Sequence, residues 1–219
     1  MAQVRQELAE AAAGRYPVPR LIAVTKTHSA EEILPLSEMG VTEIGENRVQ
    51  ELTGKLPELK GRFQIHLIGR LQRNKVRQII EDVCMIQSVD SEALAAEIHT
   101  RAIAAGRRMP VLAEISPAGE EQKGGVPFEE TEAFLKRIAP LEGLEIRGLM
   151  AVMPLTEDLE YLDGLFARMR GLFDRLREKD LGGAVMEELS MGMSGDYRLA
   201  AAHGATMVRV GSAIFGPRG

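Results

Sequence analysis

At 219 residues the chain suits one large domain or two small ones, and 45% hydrophobic with 27% charged residues is an ordinary mix for a protein with a sizeable core. Lysine and arginine number 27 against 32 aspartates and glutamates, a net charge of −5 with no basic block, which argues against nucleic acid as a partner. Cys84 stands alone and no apolar run approaches the ~18 residues of a membrane span, so neither a disulfide framework, a cysteine metal cluster nor a membrane helix is expected.

The chain opens on "MAQVRQELAEAAAGR", a charged amphipathic stretch without the apolar centre of a signal peptide. A cytoplasmic globule is the expectation. Val4, Leu8, Ala11 and Ala12 make this stretch an N-terminal helix. "LIAVTK" (21–26) is the first strand, and Ser29 with Glu32 is a capping box that starts a helix straight after it. Further strands follow at "TEIGEN" (42–47), "FQIHLIG" (63–69), "CMIQSV" (84–89), "MPVLAEI" (109–115), "LEIRGLMAV" (144–152), "EELSMG" (187–192) and "TMVRVG" (206–211). Several are near-continuous apolar runs, as strands covered on both faces are.

Helices are predicted between them. Val49, Leu52, Leu56 and Leu59 share one face. Helices are also expected over 71–81, 91–105, 127–139 and 194–202. The clearest spans 157–178, where Leu162, Leu165, Phe166, Met169, Leu172, Phe173 and Leu176 recur at helical spacing. Pro35 and Pro57 fall inside helical patterns and predict a kink or an early end. Eight strands, each followed by a helix or the chain end, weigh between an open doubly wound sheet and a closed barrel. The barrel is favoured: a single-domain α/β fold over 1–219, a (β/α)8 TIM barrel with an extra N-terminal helix.

Functional groups of such barrels sit at the carboxyl ends of the strands. Those positions hold Lys26, Asn47, His66, Ser88, Glu114, Met150, Ser190 and Arg209. They offer an amine, a guanidinium and hydrogen-bonding groups, but no carboxylate pair, no H-x-x-x-H or C-x-x-C metal spacing and no Walker glycine loop. No metal site is expected. In "SMGMSGDYRLAAAHG" (190–204), Gly192 and Gly195 allow close backbone approach and place Ser194 at or near a helix N-cap, an anion-binding turn or an ordinary cap. Arg209 lies inside an apolar strand and must be paired or bound. Gly211 and Ser212, directly after it, offer donors to the same anion.

Taken together, "AVTKTHS", "IGENRVQEL", "HLIGRLQRNK", "SVDS", "QKGGV", "GLMAV" and "LSMGMSGDYRLAAAHGATMVRVGSAIFG" closely resemble the pyridoxal phosphate homeostasis proteins, single-domain relatives of the amino-terminal barrel of alanine racemase. The resemblance spans roughly residues 21 to 216 and implies the type III fold of pyridoxal-phosphate proteins. It implies that Lys26 forms an internal aldimine with pyridoxal 5′-phosphate and that Asn47 lines the cofactor face. Ser194, Gly211 and Ser212 would hold the phosphate, Arg209 would approach the pyridine nitrogen, and His66 would be a neighbour in the barrel mouth. Gln64-Ile65 stand where the family has an aromatic before that histidine, and Arg70 where a proline is common.

A permanently charged arginine beside the ring nitrogen disfavours the pyridinium and weakens the cofactor as an electron sink. Tyr16, Tyr161 and Tyr197 lie in or beside helices, and the chain ends just past the last strand, where racemases add a second domain with a catalytic tyrosine. The expectation is therefore a non-enzymatic protein of intracellular pyridoxal-phosphate homeostasis or delivery, a monomer by default, whose partners would be apo-forms of cofactor-dependent enzymes. A low-activity amino-acid racemase is the alternative, and an aldolase-type phosphate-sugar enzyme a third reading. His28, His99 and His203 read as a loop, a surface and a helix-end residue. Lys123, in a glycine-rich loop, reads first as a solvated loop charge and second as a candidate amine for cofactor transfer.

Overall fold

The computed structural model describes residues 1–119 and 124–216. Nine parallel strands form the sheet: β1 (Arg20–Val24), β2 (Glu43–Glu46), β3 (Gln64–Leu67), β4 (Met85–Val89), β5 (Met109–Ser116), β6 (Val126–Pro127), β7 (Leu144–Ala151), β8 (Glu188–Ser190) and β9 (Met207–Val210). All but β6 close into a ring, in the order β4-β3-β2-β1-β9-β8-β7-β5 with β5 returning to β4. The expected eight-stranded barrel is thus the fold, and each of the eight strand runs holds one of its staves. β6 is an addition: two residues paired to the end of β5 at Ile115–Val126.

Side-chain alternation divides the core in two. Inside the barrel, Ile22, Met85, Leu112, Met150 and Met207 form a compact apolar layer with Cys84 against it. Outward-facing Ile44, Ile65, Ile86, Val111, Leu149 and Val208 meet the helices in a larger cluster. The helices are α1 (Ala2–Ala12), α2 (Ala30–Ile33), α3 (Pro35–Glu38), α4 (Val49–Leu59), α5 (Glu92–Ala104), α6 (Thr131–Ile138), α7 (Leu159–Arg177), α8 (Tyr197–Ala202) and α9 (Ser212–Phe215). In α7 all seven residues of the predicted stripe are buried. Each contributes about 1.5–3 kcal/mol, so this helix anchors its side of the barrel firmly.

The Ser29–Glu32 capping box is formed in full. Pro35 splits the helix it starts, ending α2 at Ile33 and opening α3. Pro57 is carried inside α4, which stops two residues later. The stretch 71–81 is not an α-helix: a 3₁₀ segment covers Arg73–Gln78, with Val76 its one buried residue. Ile79, Ile80 and Val83 are buried beyond its end, so the apolar residues of this stretch reach the core from a 3₁₀ segment and the turn after it. The helix expected over 127–139 begins as a 3₁₀ turn at Phe128–Glu130 and becomes α-helical at Thr131. α1 lies against α8, where Glu7 accepts a hydrogen bond from the Tyr197 hydroxyl and pairs with Arg198. No helix among the described residues is long and apolar enough to cross a membrane.

Candidate functional site

Lys26 leaves the barrel two residues after β1, half-buried. The turn that carries it is braced from three sides. Thr25 donates through its hydroxyl to Glu46 Oε1 at 2.6 Å, Lys55 donates to both Glu46 Oε1 and the Thr25 carbonyl at 2.9 Å, and the Thr27 amide donates to Glu51 at 2.9 Å. Thr27 itself has a φ of +70°, a left-handed conformation that costs free energy for a β-branched residue. The lysine therefore sits on a platform whose backbone is over-determined.

β1 pairs with β9, Ala23 opposite Val210, so the turns that follow the two strands run side by side. A Cβ added to Gly211 would stand 3.3 Å from that of Val24, which measures how closely they approach. Two rings join them further out: His28 stacks on Phe215 with centroids 4.0 Å apart. This histidine is half-buried, so it is more than the loop residue expected.

Ser194 reaches the same place from the other neighbour of β9. It does not cap α8, whose N-cap is Asp196. Gly192, at φ +93°, turns the chain where a Cβ would lie 2.4 Å from that of Ala200, and the Asp196 carboxylate takes the Met193 amide at 2.5 Å. The Ser194 oxygen is thereby swung across to accept from the amides of Gly211 at 3.0 Å and Ala213 at 3.3 Å. Two backbone donors converge on one oxygen, with the exposed Ser212 between them. The donor set is that of an oxyanion cup.

Arg209 lies inside the barrel, 3% exposed. One terminal nitrogen donates to Ser190 Oγ at 2.6 Å and the other to the Ala151 carbonyl at 2.8 Å. Burial pulls its pKa down to about 10, with Glu114 and Asp196 opposing that shift, so it stays charged at neutral pH. Glu114, at the end of β5, is pushed up to about 7 by burial and then by the charge of Asp90. Asn47 is pinned from behind, since a Cβ on Gly69 would fall 2.2 Å from its carbonyl oxygen, and Ser88 fixes Gly69 by donating to its carbonyl at 2.8 Å. Beside Asn47 opens a cavity of about 730 Å³ rimmed by Arg48, Arg70, Arg73, Lys75 and Asp90.

The structure thus brings the turns carrying Lys26, Ser194, Gly211 and Ser212 together at one end of the barrel, above Arg209. Asn47 sits on the neighbouring strand end. His66 lies lower, level with Gly45 and 2% exposed, with its ring on Gln87 and Glu43. Met150 belongs to the apolar interior layer. His99 is half-buried and accepts from the Gly143 amide at 2.9 Å, while His203 ends α8 and contacts Asp163 at 2.7 Å. Lys123 falls outside the described residues. Among those described, no group of three metal-ligating side chains exists.

The platform of Thr25, Glu46 and Lys55, the His28–Phe215 stack and the role of Gln87 escaped sequence reasoning. One signal was available for the last: Gln87 is a polar residue beside Ser88 in the run "CMIQSV", two positions from the inward-facing Met85.

Residues 2–219 match the family described as alanine racemase, N-terminal domain. A protein of Deinococcus radiodurans named pyridoxal phosphate homeostasis protein is 42% identical over 211 residues, 94% of each chain. One of the same name from Aquifex aeolicus is 38% identical over 200 residues, 91% of this chain and 87% of its own. Among solved structures, PipY of Synechococcus elongatus with PLP bound superposes with a TM-score of 0.84 at 36% identity, covering 97% of this chain and 100% of that one.

Proposed function

This chain belongs to the pyridoxal phosphate homeostasis proteins, built on the barrel of the alanine racemase N-terminal domain, and from that premise we propose that it binds pyridoxal 5′-phosphate at the mouth of the barrel and stores or delivers it. The observation that carries the reading is the meeting of the Lys26 turn and the Ser194–Gly211–Ala213 cup on the adjacent ends of β1 and β9. The cofactor supplies an aldehyde that condenses with a primary amine and loses water.

Each residue then has a task suited to its surroundings. Lys26 is the amine that takes the aldehyde carbon, held in place by the braced Thr25–Thr27 backbone. Ser194, Gly211 and Ser212 receive the phosphate, whose oxygens suit the converging amides. Arg209 has five N–H groups, of which two have hydrogen-bond partners among the described residues, and its free donors serve the pyridine nitrogen. Asn47 borders the ring.

Holding is favoured over chemistry by the charge of Arg209. A guanidinium donating to the ring nitrogen opposes its protonation, and a neutral pyridine stabilises carbanions poorly. Tyr197, the most buried tyrosine, has its hydroxyl engaged by Glu7 on α1. Localisation in the cytoplasm and handover to apo-enzymes complete the proposal. The test is spectroscopic. Purified protein mixed with pyridoxal 5′-phosphate develops a visible absorption band, and Lys26→Ala loses it; an unchanged band in the variant rejects the assignment. Stoichiometric reactivation of an apo-enzyme by the loaded protein tests delivery.

A further inference from the structure

The barrel interior is not wholly apolar. A file of polar side chains crosses it, each 9% exposed or less: Arg209, Ser190, Gln87, His66 and Glu43. Arg209 donates to Ser190 Oγ at 2.6 Å, and Ser190 donates to Gln87 Oε1 at 2.7 Å. The Gln87 amide nitrogen faces His66 Nδ1 at 3.0 Å, and His66 Nε2 lies 3.2 Å from Glu43 Oε2, an ion-pair contact without hydrogen-bond geometry among the described residues. Arg20 closes the file, donating to Glu43 at 3.2 Å and to Glu188 at 2.5 Å.

Direction follows from what each group can do. Arginine only donates, so the Ser190 oxygen accepts from it and turns its own hydrogen to Gln87. The carboxamide oxygen of Gln87 is then used, and its NH₂ must serve His66. Nδ1 of His66 is therefore an acceptor, and its proton sits on Nε2, facing Glu43. Every hydrogen points the same way, from a buried cation to a buried carboxylate. Burial raises the Glu43 carboxyl pKa, but the contact with His66 and the charge of Arg20 outweigh that and hold it below its ordinary value.

Such a file is costly as packing. Polar groups in a dry interior lose hydration, and an apolar filling of equal volume is commonly as stable or more so. The neighbouring layer of Ile22, Leu112 and Met150 is such a filling. What the file provides is a fixed guanidinium. Among the described residues Arg209 has no direct carboxylate partner, and its two acceptors there are neutral. Its plane is set by the Ala151 carbonyl on one side and by Ser190 on the other, and the Ser190 hydroxyl is oriented by donating to Gln87. Arg20, Glu43 and Glu188 are the first residues of their strands, so the file runs from one rim of the barrel to the underside of the mouth.

We propose that Ser190, Gln87, His66 and Glu43 are positioning residues for Arg209, a one-way file, hydrogen-bonded from Arg209 to His66 and closed by the 3.2 Å contact of His66 with Glu43, that couples the guanidinium at the barrel mouth to the Arg20–Glu43 pair at the opposite rim. Its consequence for the cofactor rests on the binding function proposed above; its existence does not. Two measurements separate the two. In the cofactor-free protein, ¹⁵N NMR of labelled histidine shows His66 protonated at Nε2, and Ser190→Ala, two links away, shifts its Nδ1 resonance. An Nδ1–H tautomer, or no shift in that variant, overturns the file whether or not the cofactor binds.

In protein loaded with pyridoxal 5′-phosphate, Glu43→Gln at the far rim moves the visible absorption maximum and speeds cofactor release on the order of three- to tenfold. Ile22→Val, in the apolar layer, serves as a control that lowers Tm without a spectral shift. If Glu43→Gln lowers Tm but leaves spectrum and release unchanged, the file is packing alone and the proposal fails. If the parent protein takes up no cofactor, the functional reading fails and the NMR result decides the file.

Discussion

The imidazole of His28 and the ring of Phe215 lie stacked, 4.0 Å between centroids and 18° between planes. They tie the turn after Lys26 to the turn after Arg209, the two segments that must stay in register for one ligand to reach both. A stacked pair contributes about 0.5–1.5 kcal/mol. Phe215→Ala is therefore expected to speed pyridoxal-phosphate release by roughly two- to tenfold while Tm falls little. Stopped-flow transfer to an excess of apo-enzyme measures it; an unchanged rate would show that the two turns hold register without the stack.

Asn47 and Gly69 give a steric prediction. Gly69→Ala places a methyl 2.2 Å from the Asn47 carbonyl oxygen and 2.6 Å from its Oδ1. Overpacking of this kind costs about 1–3 kcal/mol, and cofactor affinity should fall with stability because Asn47 must move. Gly54 lies within α4, and a Cβ there meets nothing within 4 Å. Gly54→Ala is expected to raise stability by about 0.5–1 kcal/mol with affinity unchanged, as urea denaturation and a binding titration would show.

The brace beneath Lys26 predicts strong coupling. Glu46 has a side chain 0% exposed and its partner Lys55 one 12% exposed, 2.9 Å apart. Lys55→Met strands a buried carboxylate and should cost about 3–5 kcal/mol. Glu46→Leu combined with Lys55→Met should recover most of that loss. Additive losses in the double-mutant cycle would contradict the pairing.

Glu114 makes stability depend on pH. Its carboxyl is raised from 4.5 to about 7, by burial first and Asp90 second. The folded state then holds a proton that the unfolded chain has released between pH 4.5 and about 7. Stability falls as pH rises through that window and levels off above it, a contribution of up to ~3 kcal/mol. Glu114→Gln should flatten the slope and gain relative to the parent at pH 8. Parallel pH profiles for the two proteins would refute this.

Strands covered on both faces are written as apolar runs, so all eight staves of the barrel could be read from the sequence and their closure inferred from their number. β6 could not, because two residues carry no periodicity. The segment 71–81 had helical spacing, with Val76, Ile79 and Ile80 all buried, yet is 3₁₀ over Arg73–Gln78; apolar spacing alone does not separate the two helix types. Lys26, Ser194, Arg209, Gly211 and Ser212 stood out as polar or glycine residues at strand ends. Ser194 is expected at or near a helix N-cap, as an anion-binding turn or an ordinary cap; it stands two residues before the N-cap Asp196 and reaches the amides of the next loop, a choice made by Gly192 and Asp196. The interior file was hidden for another reason. His66 was visible as an oddity in β3, but its partners lie 21 residues ahead on β4 and on the first residue of β2, and only closure of the barrel aims them at one another.

The account depends most on the amine at position 26. Borohydride reduction of the protein loaded with pyridoxal 5′-phosphate, followed by mass mapping of its peptides, should find one pyridoxyl group per chain, on Lys26. Label spread over surface lysines, or confined to another residue such as Lys55 or Lys123, would contradict it.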